Sequence, residues 1–423
     1  MPDVKVLLLG GGGREHAIAW KLAQSPLLTK LWAAPGSDAI AAFASRVPLD
    51  YLDPEAVAGF VQANGVDLVF IGPEAPLASG VSDAARAAGA LVFGPSQSAS
   101  RLETSKSFAK DFMGMNGVPT ARARGCVTAK EAKEAARGFR GHCAVKADGP
   151  AAGKGVIVCA SVDEAEAAVD ALAATAAGRT LVVEERLEGP ELTVMLLVDG
   201  RGYAVLPMSQ DHKRLLEGDS GPNTGGMGAL SPAPLDRTLW ETIETDILDR
   251  TLAGLAKSGI DYRGALYVGV MLTPDGPKVL EYNARFGDPE TQAVLPLLDA
   301  DLLSLAADCA AGRLTPGILP AHRGACVGVT LASPGYPENP RTGAELDLSG
   351  VDGMKDVLLF HAGTKKTPSG WTASGGRVLT VVGLGSDLAA ARERAYAAVS
   401  LLRIPNLQYR RDIAAKALGR ALA

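Results

Sequence analysis

The run at residues 4–9 is apolar at every position but Lys5, and it leads straight into Gly10-Gly11-Gly12-Gly13. A strand with no apolar/polar alternation is buried on both faces, as in a parallel sheet covered by helices. Glycines at its end let the backbone turn sharply, and residues 14–24 then read as a helix. Residues 31–34, 66–71 and 91–93 read as further short strands, with a helix over 81–88 after the Gly72-Pro73-Glu74 turn. This pattern predicts an α/β fold that begins with a doubly wound parallel sheet. Its ligands are expected at the carboxyl ends of the strands, where both glycine turns fall.

The middle of the chain has a different rhythm. Residues 103–115 read as a helix, 143–146 and 156–159 as strands joined by a glycine-rich loop, 163–177 as a helix and 181–184 as a strand. A hairpin is expected from 192–198 and 203–209, and a long helix over 240–257. Pro274-Asp275-Gly276 is a strong turn signal between strands at 265–272 and 278–282. Strands near 326–331, 357–362 and 378–384 and a helix over 388–401 predict a last α+β unit.

A chain of 423 residues is too long for one core, so several domains are expected. The five cysteines contain no CxxC pair, which speaks against a disulfide framework or zinc site. Lys+Arg number 42 against Asp+Glu 47, a balance that argues against a broad nucleic-acid or anionic-membrane surface. No apolar stretch approaches the length of a membrane span, and a cytoplasmic protein is the simplest reading.

Four segments carry chemistry. The first glycine run, with Arg14 behind it, opens a helix whose N–H groups could hold an anion; it could equally be a tight turn without a ligand. It fails the dinucleotide fingerprint, because Glu15 or His16 stands where the third glycine belongs. The second segment, from Lys146 to Val156, holds Gly149, Gly153, Lys154 and Gly155 between two strands rather than between strand and helix. It departs from the P-loop spacing and predicts a flap over a triphosphate, with Lys146 aimed at a phosphate. The third is Glu281-Tyr282-Asn283: alternation puts Glu281 and Asn283 on one strand face, with Arg285 following on that side. Two oxygen donors there suit Mg²⁺ completed by phosphate oxygens and water. The fourth, Asp211-His212-Lys213 with its glycine-rich continuation, is too long and polar for an idle loop. His212 reads more readily as structural than as a base.

Together these segments resemble one superfamily. Lys106 and Lys146 upstream, the flap, Glu184-Glu185-Arg186-Leu187 and a late Glu-x-Asn are the ATP-grasp pattern. Within it, GGGGREHAIAWKLAQSP, GPEAPLASG, SQDHKRLLEGDSGPNTGGMGA, LEYNARFGDPETQ and SGGRVL closely resemble the glycinamide ribonucleotide synthetase family over nearly the whole chain.

The resemblance implies an N-terminal substrate domain (1–103), an ATP-grasp module (104–315, mobile lid about 120–188) and a C-terminal α+β domain (316–423). It implies ligation of glycine to 5-phosphoribosylamine with ATP, through an acyl phosphate, in purine biosynthesis. Lys106, Lys146, Gly153, Lys154 and Gly155 would hold phosphates. Glu184, Glu185 and Leu187 would border the adenine, and Glu191 the ribose. Glu281 and Asn283 would bind Mg²⁺ or Mn²⁺. Arg285 would meet the glycine carboxylate and its phosphoryl, Asp211 the glycine ammonium and Lys213 a phosphate. Gly11, Gly12, Gly13, Arg14, Gly72, Pro73 and Glu74 would receive the phosphoribosyl group. Two departures stand out: residues 266–272 hold no further carboxylate for a metal, and Pro150 sits in the flap. The number of metal ions and the oligomeric state are left open. The competing expectations are a biotin-carboxylase-like ligase, which would lack the SQDHKR segment, and a regulatory nucleotide-binding protein without turnover.

Overall fold

The computed structural model describes residues 3–149 and 155–421. Its first sheet has five parallel strands, in the spatial order Ser45–Arg46, Leu28–Pro35, Val4–Gly10, Leu68–Ile71, Leu91–Phe93. In the Val4–Gly10 strand only Lys5 is exposed, as its sequence required. The winding direction reverses beside this strand, so the ends of Val4–Gly10 and Leu68–Ile71 flank a crevice. The helix Gly13–Leu22 follows, its Ala17, Ile18 and Leu22 buried in the core.

Several expected elements differ: the helix over 240–257 contains a π-helical stretch, Ile243–Asp249, and the helix over 163–177 ends at Ala173. The helix read over 103–115 is two helices, Arg101–Thr104 and Lys106–Met115. Ser105 between them is extended (φ −135°, ψ 108°), and its Oγ accepts from the Phe108 N–H at 3.2 Å. Serine caps a helix better than it continues one. The strand read over 203–209 is only Tyr203–Val205, because Pro207 has no N–H to donate to a ladder.

A second unit is a four-stranded antiparallel sheet ordered Ala123–Cys126, Leu181–Glu185, Cys143–Ala147, Val156–Cys159. The helices Ala129–Gly138 and Val162–Ala173 cover one face, burying Cys126, Cys143, Cys159, Val145 and Val183 in a core of their own. Behind it, Gly276–Asn283, Arg263–Thr273, Glu191–Asp199, Tyr203–Val205 and Gly317–Ile318 make another five-stranded sheet. A third joins Gln210–Asp211 and Gly228–Ser231 to Ala325–Ala332, Arg377–Gly385 and Val357–His361, with the helix Leu388–Leu401 packed on it. The Asp211 segment is therefore hydrogen-bonded into the same sheet as the C-terminal strands. All five cysteines are buried and free. No helix among the described residues is long and apolar enough to cross a membrane.

Candidate active site

The end of the first sheet, the lid-like sheet and the Arg263–Asn283 hairpin enclose a cleft of about 610 Å³. The hairpin supplies its floor. Gly269 pairs with Glu281 but Val270 pairs with Val279, so Leu280 is a bulge. The bulge leaves Glu281 and Asn283 facing the cleft, while Tyr282 turns into the core, where its hydroxyl meets Thr251 Oγ1 at 2.6 Å. Burial alone would raise the Glu281 carboxyl, but Lys213, Lys146, Lys106 and Arg285 outweigh it and hold the group ionised, down to about 2. An ionised carboxylate and a carboxamide oxygen on one face are hard donors that fit Mg²⁺ or Mn²⁺. Among the described residues no group of three or more His, Cys, Asp or Glu could hold a metal, so phosphate and water oxygens would complete the shell.

Lysines converge from two sides. Lys146 donates to the Leu280 carbonyl at 3.2 Å and pairs with the buried Glu184 at 2.9 Å. Lys106 begins its helix, whose first turn is gripped by Asp148, just past the Cys143–Ala147 strand. That carboxylate accepts from the Ser107 N–H at 2.8 Å and from Ser107 Oγ at 2.7 Å. Burial lowers the Lys106 ammonium despite the nearby Glu281 carboxylate. Gly155 and Leu187 line the cleft. Glu185 lines it too and pairs with Arg122 at 2.6 Å. Gly153, Lys154 and Pro150 lie outside the described residues.

Lys213 sits between Glu191 (3.1 Å) and Glu281 (3.4 Å) and is held firmly protonated; these carboxylates and Tyr267 overcome its burial. Asp211 is pushed well above the usual carboxylate range, by burial first and then by Glu290. His212 points away from this chemistry: its Nε2 accepts from the Ala414 N–H at 3.3 Å, and Nδ1 lies 3.3 Å from the Gly228 carbonyl oxygen. Burial lowers its pKa to about 4, so it is a neutral structural histidine.

Arg285 crosses the cleft. It reaches Asn283 Oδ1 and Glu103 Oε1, each at 3.0 Å, and the Phe286 carbonyl at 3.1 Å, with Glu74 at 3.7 Å. Its Nε–H is buried without a hydrogen-bond partner. In the N-terminal loop, Arg14, Pro73 and Glu74 line the cleft, whereas Gly11, Gly12, Gly13 and Gly72 are not among its lining residues. The Gly12 N–H donates to Glu15 Oε2 at 2.7 Å. A side chain on Gly11 would strike the Gly36 carbonyl oxygen (2.6 Å), and one on Gly72 would strike Glu15 Oε1 (2.3 Å). Close packing explains these two glycines directly.

Sequence reasoning assigned no role to Glu103, Lys110, Asp288, Glu290 or Arg377, all of which line the cleft. Lys110 is one helical turn past Lys106, and it pairs with Glu184 at 3.2 Å, so helix periodicity could have found it. Asp288, Glu290 and Arg377 lie inside the quoted segments, but nothing local shows which distant groups they grip.

The comparisons agree with this architecture. Residues 4–103 match the family Phosphoribosylglycinamide synthetase, N domain; residues 104–291 match its ATP-grasp (A) domain and residues 326–416 its C domain. A phosphoribosylamine–glycine ligase of Ralstonia nicotianae is 43% identical over 424 residues, covering 99% of this chain and all of the relative. One from Rhizobium meliloti is 45% identical over 428 residues, with the same coverage. The crystal structure of the phosphoribosylamine–glycine ligase of Thermotoga maritima, 34% identical, superposes with a TM-score of 0.84 over 97% of this chain and 100% of that one. A Campylobacter jejuni biotin carboxylase shares the fold at a TM-score of 0.74 and 16% identity, over 96% of this chain and 93% of that one.

Proposed function

The chain belongs to the phosphoribosylglycinamide synthetase family, and from its cleft we propose how it carries out that family's reaction, the ATP-dependent joining of glycine to 5-phosphoribosylamine. The product is glycinamide ribonucleotide, formed with ADP and phosphate in purine biosynthesis. A carboxylate is a poor acyl donor, so glycine is first phosphorylated on its carboxylate. The amine of phosphoribosylamine then attacks the glycyl phosphate carbonyl and expels phosphate. Atoms balance without a covalent enzyme intermediate.

The observation that carries this reading is the convergence of Lys106, Lys146, Lys213 and Arg285 on the same wall as Glu281 and Asn283. Lys106 and Lys146 bind the triphosphate, joined by Gly153, Lys154 and Gly155. Glu184, Glu185 and Leu187 border the adenine, and Glu191 takes the ribose hydroxyls once Lys213 turns to a phosphate. Glu281 and Asn283 hold Mg²⁺ or Mn²⁺, which neutralises charge on the phosphates when bound. Arg285, which lines the cleft with a buried Nε–H that makes no hydrogen bond and faces Glu74 at 3.7 Å, meets the glycine carboxylate and the phosphoryl arriving on it. Asp211 orients the glycine ammonium. Arg14, Pro73 and Glu74, backed by Gly11, Gly12, Gly13 and Gly72, receive the phosphoribosyl group. Catalysis is positioning plus fixed charge.

ADP release tests the substrate assignment. It should require glycine and phosphoribosylamine together. ADP formed at the same rate with bicarbonate in place of glycine would reject it in favour of carboxylase chemistry.

A further inference from the structure

Arg377 comes from a C-terminal strand, yet its guanidinium ends in the cleft, gripping two segments of the central unit. Its Nη1 donates to the Gly225 carbonyl, and to the Asp288 carbonyl at 2.7 Å and the Gly226 carbonyl at 3.4 Å. Its Nη2 pairs with the Asp288 carboxylate at 3.0 Å. The turn it holds is built around close approaches. Gly226 has φ +110°, and a side chain there would lie 2.7 Å from Asp211 Oδ1 and 2.3 Å from Pro289 Cδ. The Gly225 N–H donates to the Tyr336 hydroxyl at 3.0 Å, a second tie from the C-terminal unit. Asp211, Asp288 and Glu290 line one stretch of the cleft, and Arg377 is the cation that braces its backbone.

We propose that Arg377 is a positioning residue for the amino-acid substrate: it fixes the Gly225-Gly226 turn against Asp211 and holds Asp288 in place, so that the acidic end of the cleft is pre-shaped for glycine's ammonium. This rests on the reading of Asp211 as the ammonium partner. A single guanidinium satisfies three carbonyls and a carboxylate from two segments far apart in the chain, a task that needs its planar fork of donors. A lysine ammonium in its place could neutralise Asp288 but could not serve both segments. Because Lys106 and Lys146 lie on other elements and only Lys213 is tied to this turn, through Thr224, the loss should fall more on glycine than on ATP.

The test is steady-state kinetics of Arg377→Met and Arg377→Lys, with glycine and ATP varied separately and folding followed by thermal denaturation. The expected result for Arg377→Met is an apparent KM for glycine raised about tenfold or more, the scale of a lost buried charge-assisted hydrogen bond, with the KM for ATP changed less than about twofold. Arg377→Lys should fall between this variant and wild type. If Arg377→Met does not fold, Arg377→Lys alone decides. A folded variant with an unchanged glycine KM, or one whose ATP and glycine KM values rise together, would overturn the proposal. Wild-type enzyme that formed no glycinamide ribonucleotide would instead reject the functional reading beneath it.

Discussion

Glu281 concentrates the electrostatics of the cleft. Lys213, Lys146, Lys106 and Arg285 all act to keep it ionised, against burial that would favour the neutral acid. Four cations around one carboxylate form a site poised for a triphosphate and a divalent metal, in which added phosphates take over the lysines. Glu281→Gln keeps the shape and removes the charge. The variant should fold normally and lose about a hundredfold or more in kcat, the scale seen when fixed transition-state charge is removed. Near-wild-type turnover in a folded Glu281→Gln protein would refute the metal assignment. Arg285 is held from several sides: Glu103, Asn283 and the Phe286 carbonyl occupy its Nη donors, while its buried Nε–H makes no hydrogen bond and faces the Glu74 carboxylate at 3.7 Å.

At the scale of elements, Asp148 explains how two lysines 40 residues apart reach one site (146 minus 106). It follows the Lys146 strand and accepts from the Ser107 N–H and hydroxyl in the first turn of the helix that begins at Lys106, so the four-stranded sheet and the helix share an anchor. Asp148→Ala should cost about 1 kcal/mol of stability, as lost helix caps do. It should also raise the ATP KM severalfold while leaving that for glycine nearly unchanged; equal effects on both would contradict the anchor. Much of this was legible in sequence, because hydrophobic period and turn residues are local signals. The uninterrupted strand at Val4–Gly10, the hairpin around Pro274-Asp275-Gly276 and the helix Leu388–Leu401 needed no knowledge of distant parts. The break at Ser105 was missed because its cap partner and Asp148 together outweigh local helix propensity. Arg377 and Glu103 were silent for the same reason: their roles lie in pairings with Gly225, Asp288 and Arg285, which only the fold brings near.

Across the whole molecule, the first and last units meet through histidines. The His361 N–H donates to His16 Nδ1 at 2.9 Å, and both rings are buried. Burial lowers His16 to about 3, with His361 adding to the effect, and burial lowers His361 to about 4; His212 stands at about 4 as well. The ordinary value is 6.5, so the unfolded chain takes up protons that the folded one refuses. Their stabilising contribution is complete above that value and is lost as pH falls from there toward 4 and 3, by about 2 kcal/mol per histidine near pH 5. Urea midpoints should fall steeply over this window, and His361→Gln should flatten the slope; a slope unaltered by that variant would exclude the histidine pair as its source. The fold thus brings Arg14 and Glu74, Lys106, Lys146 and Lys213, and Asp211 and Glu290 to one cleft, where the proposed reaction puts the phosphoryl group on glycine's own carboxylate. Glycine carrying heavy oxygen in its carboxylate tests this most directly. An acyl phosphate transfers one labelled oxygen into every phosphate released, whereas unlabelled phosphate from a fully coupled reaction would contradict the mechanism even if both substrates were right.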